Sequence, residues 1–295
     1  MDLLLSMSVF RRVAETGNFS EVAREMGISQ PTVSKHIAAL EKHLAIKLLN
    51  RSTRQLNLTD VGKQYYSRCL HILDEVTELE TTLSNQQSQP TGTLRINTPV
   101  TFGELEVVPH LWEFLAMYPE LNIDLIMDDH YVDLVKDGVD MAIRVGPMTD
   151  STLIASKIGN SPRVTVASPA YLAANGEPGC VQDLKDHNCI VYMLLTTINE
   201  WHFAGPNGNE KIRVKGRFSV NNPRSIRQAV LASQGIAVTP RWLVDKYINN
   251  GQVKVILDKY TPTPLDIHAV YPGRRFVPAK VRCFIDFIRF KLESN

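Results

Sequence analysis

The chain has 295 residues, 44% of them hydrophobic, and 32 Lys plus Arg against 31 Asp plus Glu give a formal net charge of +1. That length suits two or three domains with real cores, and the near-neutral balance excludes a protein that coats nucleic acid by charge alone. No apolar run approaches the roughly 20 residues of a membrane-spanning helix. The four cysteines form no Cys-x-x-Cys pair and follow no signal peptide, which points to a reduced, cytoplasmic compartment.

In chain order, Leu3, Met7, Phe10 and Ala14 first make one stripe of an amphipathic helix. Ser20 is placed to cap a short helix with Val22, Ala23 and Met26 inside, and Gly27 ends it. Ile28 can fill the corner, Ser29 caps a second helix, and Pro31 fits its first turn, where a missing N–H costs nothing. Val33, Ile37 and Leu40 then point inward, leaving Gln30, Thr32, Ser34, Lys35 and His36 on other faces. The pattern predicts a helix-turn-helix whose second helix can enter a major groove, although two such helices also occur in ordinary all-α cores. Small Ala23, which permits close helix approach, favours DNA binding. So does the basic run Asn50-Arg51-Ser52-Thr53-Arg54 between strand-like pieces at Lys47 to Leu49 and Gln55 to Leu58. Arg51 and Arg54 would then touch backbone or minor groove. Residues 1–59 carry eight Lys or Arg and five Asp or Glu, a surplus of three that fits a small basic surface.

Thr59 can cap a long helix with Asp60 in its first turn. Along it Tyr65, Cys69, Ile72, Val76, Leu79 and Leu83 recur at a spacing near 3.5, which predicts a coiled-coil seam that pairs two copies. The polar run from Ser84 to Gly92 reads as a hinge.

Beyond the hinge, strands and helices alternate. Strands are expected at Leu94 to Thr98, Asn122 to Met127, Met141 to Arg144, Arg163 to Ala167, Cys189 to Tyr192, Arg217 to Val220, Ile236 to Thr239 and Leu265 to Tyr271. Helices are expected at Glu104 to Tyr118, Ser225 to Ser233 and Pro278 to Leu292, a doubly wound α/β pattern. Thr98, Thr101 and Phe102 stand at one strand-to-helix junction, and Asn221, Asn222 and Ser225 at another. Each sets hydroxyl or amide groups beside a helix N-terminus that favours an anion, or merely caps the helix. Arg144, at a strand end, can add a bidentate carboxylate partner or pair with an aspartate.

The run from Phe10 to Ser20, Ser29-Gln30-Pro31-Thr32-Val33-Ser34-Lys35-His36-Ile37, Leu40-Glu41, Asn50-Arg51 and Leu58 to Gly62 together resemble the LysR-type bacterial transcriptional regulators. The resemblance implies a winged helix-turn-helix over 1–59, a dimerising linker helix and hinge over 60–89, and an effector-binding domain over 90–295. It further implies that this domain is a two-lobed, periplasmic-binding-protein-like α/β unit, with lobe I at 90–161 and 268–295 and lobe II at 162–267. On that reading Ser29, Gln30, Pro31, Thr32, Ser34, Lys35, Arg51 and Arg54 contact double-stranded promoter DNA. Thr98, Thr101, Phe102, Arg144, Asn221, Asn222 and Ser225 line a cleft for a small organic effector, a carboxylate. The chain itself, as homodimer or homotetramer, and RNA polymerase are the further candidate partners, with no membrane.

No Gly-x-Ser-x-Gly elbow, phosphate-binding loop, His-Glu-x-x-His or dinucleotide fingerprint is present, so no catalytic residue and no cofactor is expected. Cys180, His187 and Cys189 lack a fourth metal ligand, and no metal is expected. Gly205 to Asn209 has turn composition, and Asp128-Asp129-His130 reads as an exposed strand end. Two other functions stay open: an enzyme with an appended DNA-binding repressor domain, as in biotin-protein ligases, and a ligand-independent architectural DNA binder.

Overall fold

The computed structural model describes residues 1–51, 56–83, 90–130, 132–148, 153–195, 199–273 and 277–294. At the N-terminus α1 (Leu3–Thr16), α2 (Phe19–Glu25) and α3 (Gln30–Leu44) pack around Phe10, Val13, Val22, Val33, Ile37 and Leu40, all fully buried. The cap of α2 is Asn18, not Ser20: the Asn18 side chain accepts from the Ser20 and Glu21 N–H groups, and Ser20 lies inside the helix. Gly27 takes a left-handed φ of 66° at the turn, and Ser29 caps α3 through the Thr32 N–H, with Pro31 in the first turn as expected. A two-stranded wing follows, β1 (Leu49–Arg51) antiparallel to β2 (Leu56–Leu58). Arg54 and the side chain of Arg51 lie outside the described residues.

Thr59 caps α4 (Asp60–Leu83) by accepting from the Gly62 N–H at 2.9 Å. The predicted seam divides. Tyr65 stacks edge-on against Phe10 at 5.5 Å and Cys69 is fully buried in the helix-turn-helix core, so the start of the stripe is consumed within its own domain. Ile72 is 44% exposed. The side chains of Leu79 and Leu83, and the hinge residues 84–89, lie outside the described residues.

Lobe I of the C-terminal half opens with β3 (Gly92–Thr98), α5 (Val100–Phe102), a π-helical turn (Gly103–Val107) and α6 (Val108–Met117), then β4 (Leu121–Met127), β5 (Met141–Val145) and β6 (Leu153–Ser161). The chain crosses at Pro162 into lobe II. This lobe holds β7 (Arg163–Ala167), α7 (Pro169–Asn175), β8 (Val191–Tyr192), β9 (Glu200–Gly205), β10 (Gly208–Arg213) and β11 (Ser219–Val220). It continues through α8 (Pro223–Leu231), β12 (Ala237–Pro240), α9 (Asp245–Asn249), β13 (Lys254–Ile256) and β14 (Thr261–Pro262). The return strand β15 (Leu265–Pro272) and α10 (Ala279–Ser294) complete lobe I.

The lobe I sheet has the order β4-β3-β5-β15-β6, with β3 parallel to β4 and β5, and β15 antiparallel to β5 and β6. Its core joins Leu94, Ile96, Phe114, Ile143, Ile267 and Phe284. Lobe II is built of smaller sheets, one ordered β12-β7-β13, and the predicted Gly205 to Asn209 turn closes the β9–β10 hairpin. The strand β6, the helix α7 and the hairpin strands β9 and β10 were not expected from pattern. The expected helix from Glu104 instead begins at Val100, so Thr101 sits inside it.

Gly62 carries a clear test of the wing's seating. A Cβ there would run into the Leu48 carbonyl that precedes β1. Gly62→Ala should therefore push the wing off α4 and destabilise the N-terminal domain by roughly 1–3 kcal/mol, read by chemical denaturation, with promoter affinity falling in step.

Candidate DNA interface and effector cleft

The DNA-facing candidates stand where the helix cap chemistry leaves them. Ser29, Gln30, Pro31 and Lys35 are exposed at the front of α3, and Thr32 and Ser34 are half-buried beside them. Ser29 and Thr32 share a hydroxyl contact of 2.8 Å, so both already serve the cap, whereas Gln30 and Lys35 have no such duty. His36 was left out of the expected set. Its Nδ1 meets the buried Ser6 hydroxyl at 3.0 Å, and that hydroxyl donates its one proton to the Asp2 carbonyl. His36 Nδ1 is therefore the donor, which leaves Nε2 as the ring's second polar atom.

Wing and recognition helix are tied by Glu41, which is 6% exposed. Its carboxylate accepts from the Leu48 and Leu49 N–H groups at 2.9 and 3.2 Å and pairs with Lys47 at 2.6 Å. Burial alone would push this carboxyl up; the Lys47 ammonium and the two backbone donors outweigh it and hold the group below its usual range.

Between the lobes lies a cavity of about 250 Å³. Of the expected residues it gathers Thr101, Phe102 and Arg144, and it adds Arg163, Thr239 and Trp242. Thr98 is fully buried at the end of β3 and does not line it. Asn221 is exposed, and Asn222 is committed to capping α8 through the Arg224 and Ser225 N–H groups, so the Asn221, Asn222 and Ser225 cluster stays off the wall. The α5 N-terminus is also taken, because Asp129 accepts the Val100 N–H at 3.0 Å. The two helix ends thus bind this protein's own side chains rather than offering bare N–H groups.

What the cavity holds instead is a pair of hydroxyls. Thr101 of lobe I and Thr239 of lobe II are each 1% exposed, and the Oγ1 of each has no hydrogen-bond partner. An unmade bond of this kind costs about 1–3 kcal/mol. Around them the wall is largely apolar, with Phe102, Ile226 and Val238 in its lining.

Two family models cover most of the chain. Residues 4–63 match the bacterial regulatory helix-turn-helix protein, lysR family, and residues 87–292 match the LysR substrate binding domain. The chain belongs to the LysR family of bacterial transcriptional regulators. It is 34% identical to the HTH-type transcriptional activator AaeR of Escherichia coli, over 97% of this chain and 93% of that protein. The solved structure of CrgA, a LysR-type regulator from Neisseria meningitidis, is 30% identical with a TM-score of 0.61, covering 98% of each chain. Full-length AphB, the Vibrio cholerae virulence activator, is 30% identical with a TM-score of 0.58, covering 97% of this chain and 98% of that one. These relatives are regulators, and this LysR-type chain is not an enzyme.

In this LysR-type protein the lobes meet at the π-turn of lobe I. Glu104 forms an ion pair with Arg224 of α8, and Leu105 packs on the lobe II cluster of Ile226 and Val230. Trp242 packs edge-on against Phe102 at 5.7 Å and donates from Nε1 to Ser161 Oγ at 2.9 Å. Glu106, beside them, is pushed up to about 6 by burial and by the charge of Asp245 in lobe II. Cys180 and Cys189 instead hydrogen-bond Asp183 and the Leu184 carbonyl, and His187 meets the Tyr171 hydroxyl.

A carboxyl raised by folding makes the folded state hold extra protons, so stability falls as pH rises from about 4.5, its ordinary value, through about 6. Glu106→Gln should remove that fall and, since solvent screens this half-buried group, stabilise the protein at pH 7 by about 1 kcal/mol or less. Melting temperatures of both proteins across pH 4.5 to 7 check this; parallel curves would show that Glu106 is not the group responsible.

Proposed function

We propose that this transcriptional regulator reads promoter DNA with Gln30, Thr32, Ser34 and Lys35 on α3, flanked by Ser29 and Pro31, with Arg51 and Arg54 on the backbone or minor groove. It acts in the cytoplasm as a homodimer or homotetramer and answers to a small organic carboxylate bound between its lobes, with RNA polymerase a further partner at the promoter. The observation that carries the effector reading is the pair of partnerless hydroxyls, Thr101 and Thr239, brought from opposite lobes to one apolar cavity. A ligand bonded to both lobes favours one lobe arrangement over others, which is what a regulatory ligand must do. Arg144 on the same wall supports a negative effector, while Asp129 there opposes one.

Self-association rests on the part of α4 that the N-terminal core leaves uncovered, beginning at Ile72. Two linked heads gain from effective concentration on paired half-sites.

Thermal-shift screening of the full chain against a metabolite library, followed by calorimetry, tests the effector site. Thr101→Val and Thr239→Val should each weaken the best ligand by about 1–3 kcal/mol. Unchanged affinity in both would place the ligand elsewhere. On the DNA side, Gln30→Ala should relax base preference at one position of the footprint at a cost of about 1–3 kcal/mol. Ile72→Asp should instead weaken binding to every sequence as sedimentation shows the oligomer falling apart.

A further inference from the structure

Arg163 begins β7 one residue after the Pro162 crossing, and its side chain borders two adjoining hollows. One is the interlobe cavity; the other, of about 400 Å³, is edged by Gly146, Trp201, Asp266 and His268. Its Nε–H donates to the Thr263 carbonyl at 2.5 Å, which ties the guanidinium to the chain just before the return crossing. Among the described residues neither Nη group has an acceptor. The carboxylates edging the same hollows are committed elsewhere. Asp266 pairs with Lys157 at 2.5 Å, Glu200 with His202 at 2.8 Å, and Asp129 accepts the Val100 N–H at 3.0 Å. Arg163 is half-buried, and a guanidinium cannot escape by losing its proton near neutral pH, so withdrawing one even partly from water without a counter-ion is costly. Burial draws even this group down to about 10.

We propose that Arg163 is the anion anchor of the effector site, and that the effector is a monocarboxylic acid with a compact apolar body. The inference rests on the reading of the cleft as an effector site and deepens it. The planar carboxylate takes the two Nη donors side by side, a geometry that fits a guanidinium fork better than an ammonium. Its apolar body lies against Phe102, Ile226, Val238 and Trp242, and the lobe hydroxyls of Thr101 and Thr239 complete the polar contacts. One charge is enough: Arg144 already has a partner within the protein, and Asp129 on the wall opposes a second negative group. Arg163 was missed in the sequence because it reads there as the polar start of a strand.

The test uses the full chain, with monocarboxylates from butanoate to cyclohexanecarboxylate, their primary amides and the matching alkyl phosphates, against wild type, Arg163→Met, Arg163→Lys and Thr101→Val. Calorimetry should find at least one acid bound about ten-fold or more tighter than its amide and its phosphate. Arg163→Met should erase that preference, and Arg163→Lys should keep part of it. A second readout needs no ligand. Replacing a half-buried cation that lacks a counter-ion by an apolar chain of similar length should hold or raise the melting temperature of the free protein, whereas loss of a purely structural arginine, which forfeits the bond to the Thr263 carbonyl, would lower it. Wild-type acid affinity in Arg163→Met, with affinity lost in Thr101→Val, overturns the anchor and leaves the cleft reading standing. Wild-type affinity in both variants overturns both. Preference for the phosphates, or no acid bound by wild type at millimolar concentration, overturns the proposal.

Discussion

How lobe I reaches lobe II governs the effector half, and besides the two crossings and the Trp242 contacts it does so through one irregular turn. A π-turn holds one more residue than the helix around it, so the backbone bulges instead of continuing its ladder. Here the bulge carries Glu104, Leu105 and Glu106, and each meets lobe II differently: an ion pair, an apolar contact, and a carboxylate set against Asp245. Attraction and repulsion are thus packed into a single turn.

The same economy appears in the DNA-binding head. Glu41 is a charged residue at a buried site on α3, and its carboxylate is satisfied by the chain entering the wing. Glu41 therefore pins α3 to the chain that enters the wing. Contacts made by Gln30 and by the wing arginines would then share a common orientation on the duplex, as register-setting backbone contacts require.

The helix-turn-helix was legible in the sequence because its signals are local: Gly27 turns, Ser29 caps, Pro31 starts, and Val33, Ile37 and Leu40 bury one face. Asn18 and Ser20 are both good caps two residues apart, and pattern alone cannot choose between them. The α4 stripe was legible as apolar, but periodicity does not say what covers it, and Phe10 claims Tyr65 before a second chain could. Strand β6 was hidden because Lys157, Gly159 and Asn160 alternate with nothing obvious. It forms because β15 pairs with it and Leu292 of α10 packs over Gly159. In the cleft, Thr101 and Phe102 were legible at a strand-to-helix junction. Thr239, Trp242 and Arg163 were not, since their meeting with lobe I depends on two crossings far apart in the chain. One expected helix end is occupied for a related reason: Asp129, brought in from another segment, accepts the Val100 N–H there.

The two crossings themselves leave a mechanical signature. Ser161 at the end of β6 pairs with Leu265 at the start of β15, so the outgoing and returning strands form a single ribbon with a proline, Pro162 and Pro264, on each arm. Proline fixes one backbone torsion of each arm, which stiffens the ribbon where the chain changes lobes. Arg163 stands beside that ribbon, and Glu106 of the π-turn borders the same hollow as Pro162. The anchor proposed at Arg163 and the interlobe contact at the π-turn therefore share one hinge, so a strain applied at either is felt at the same two crossings.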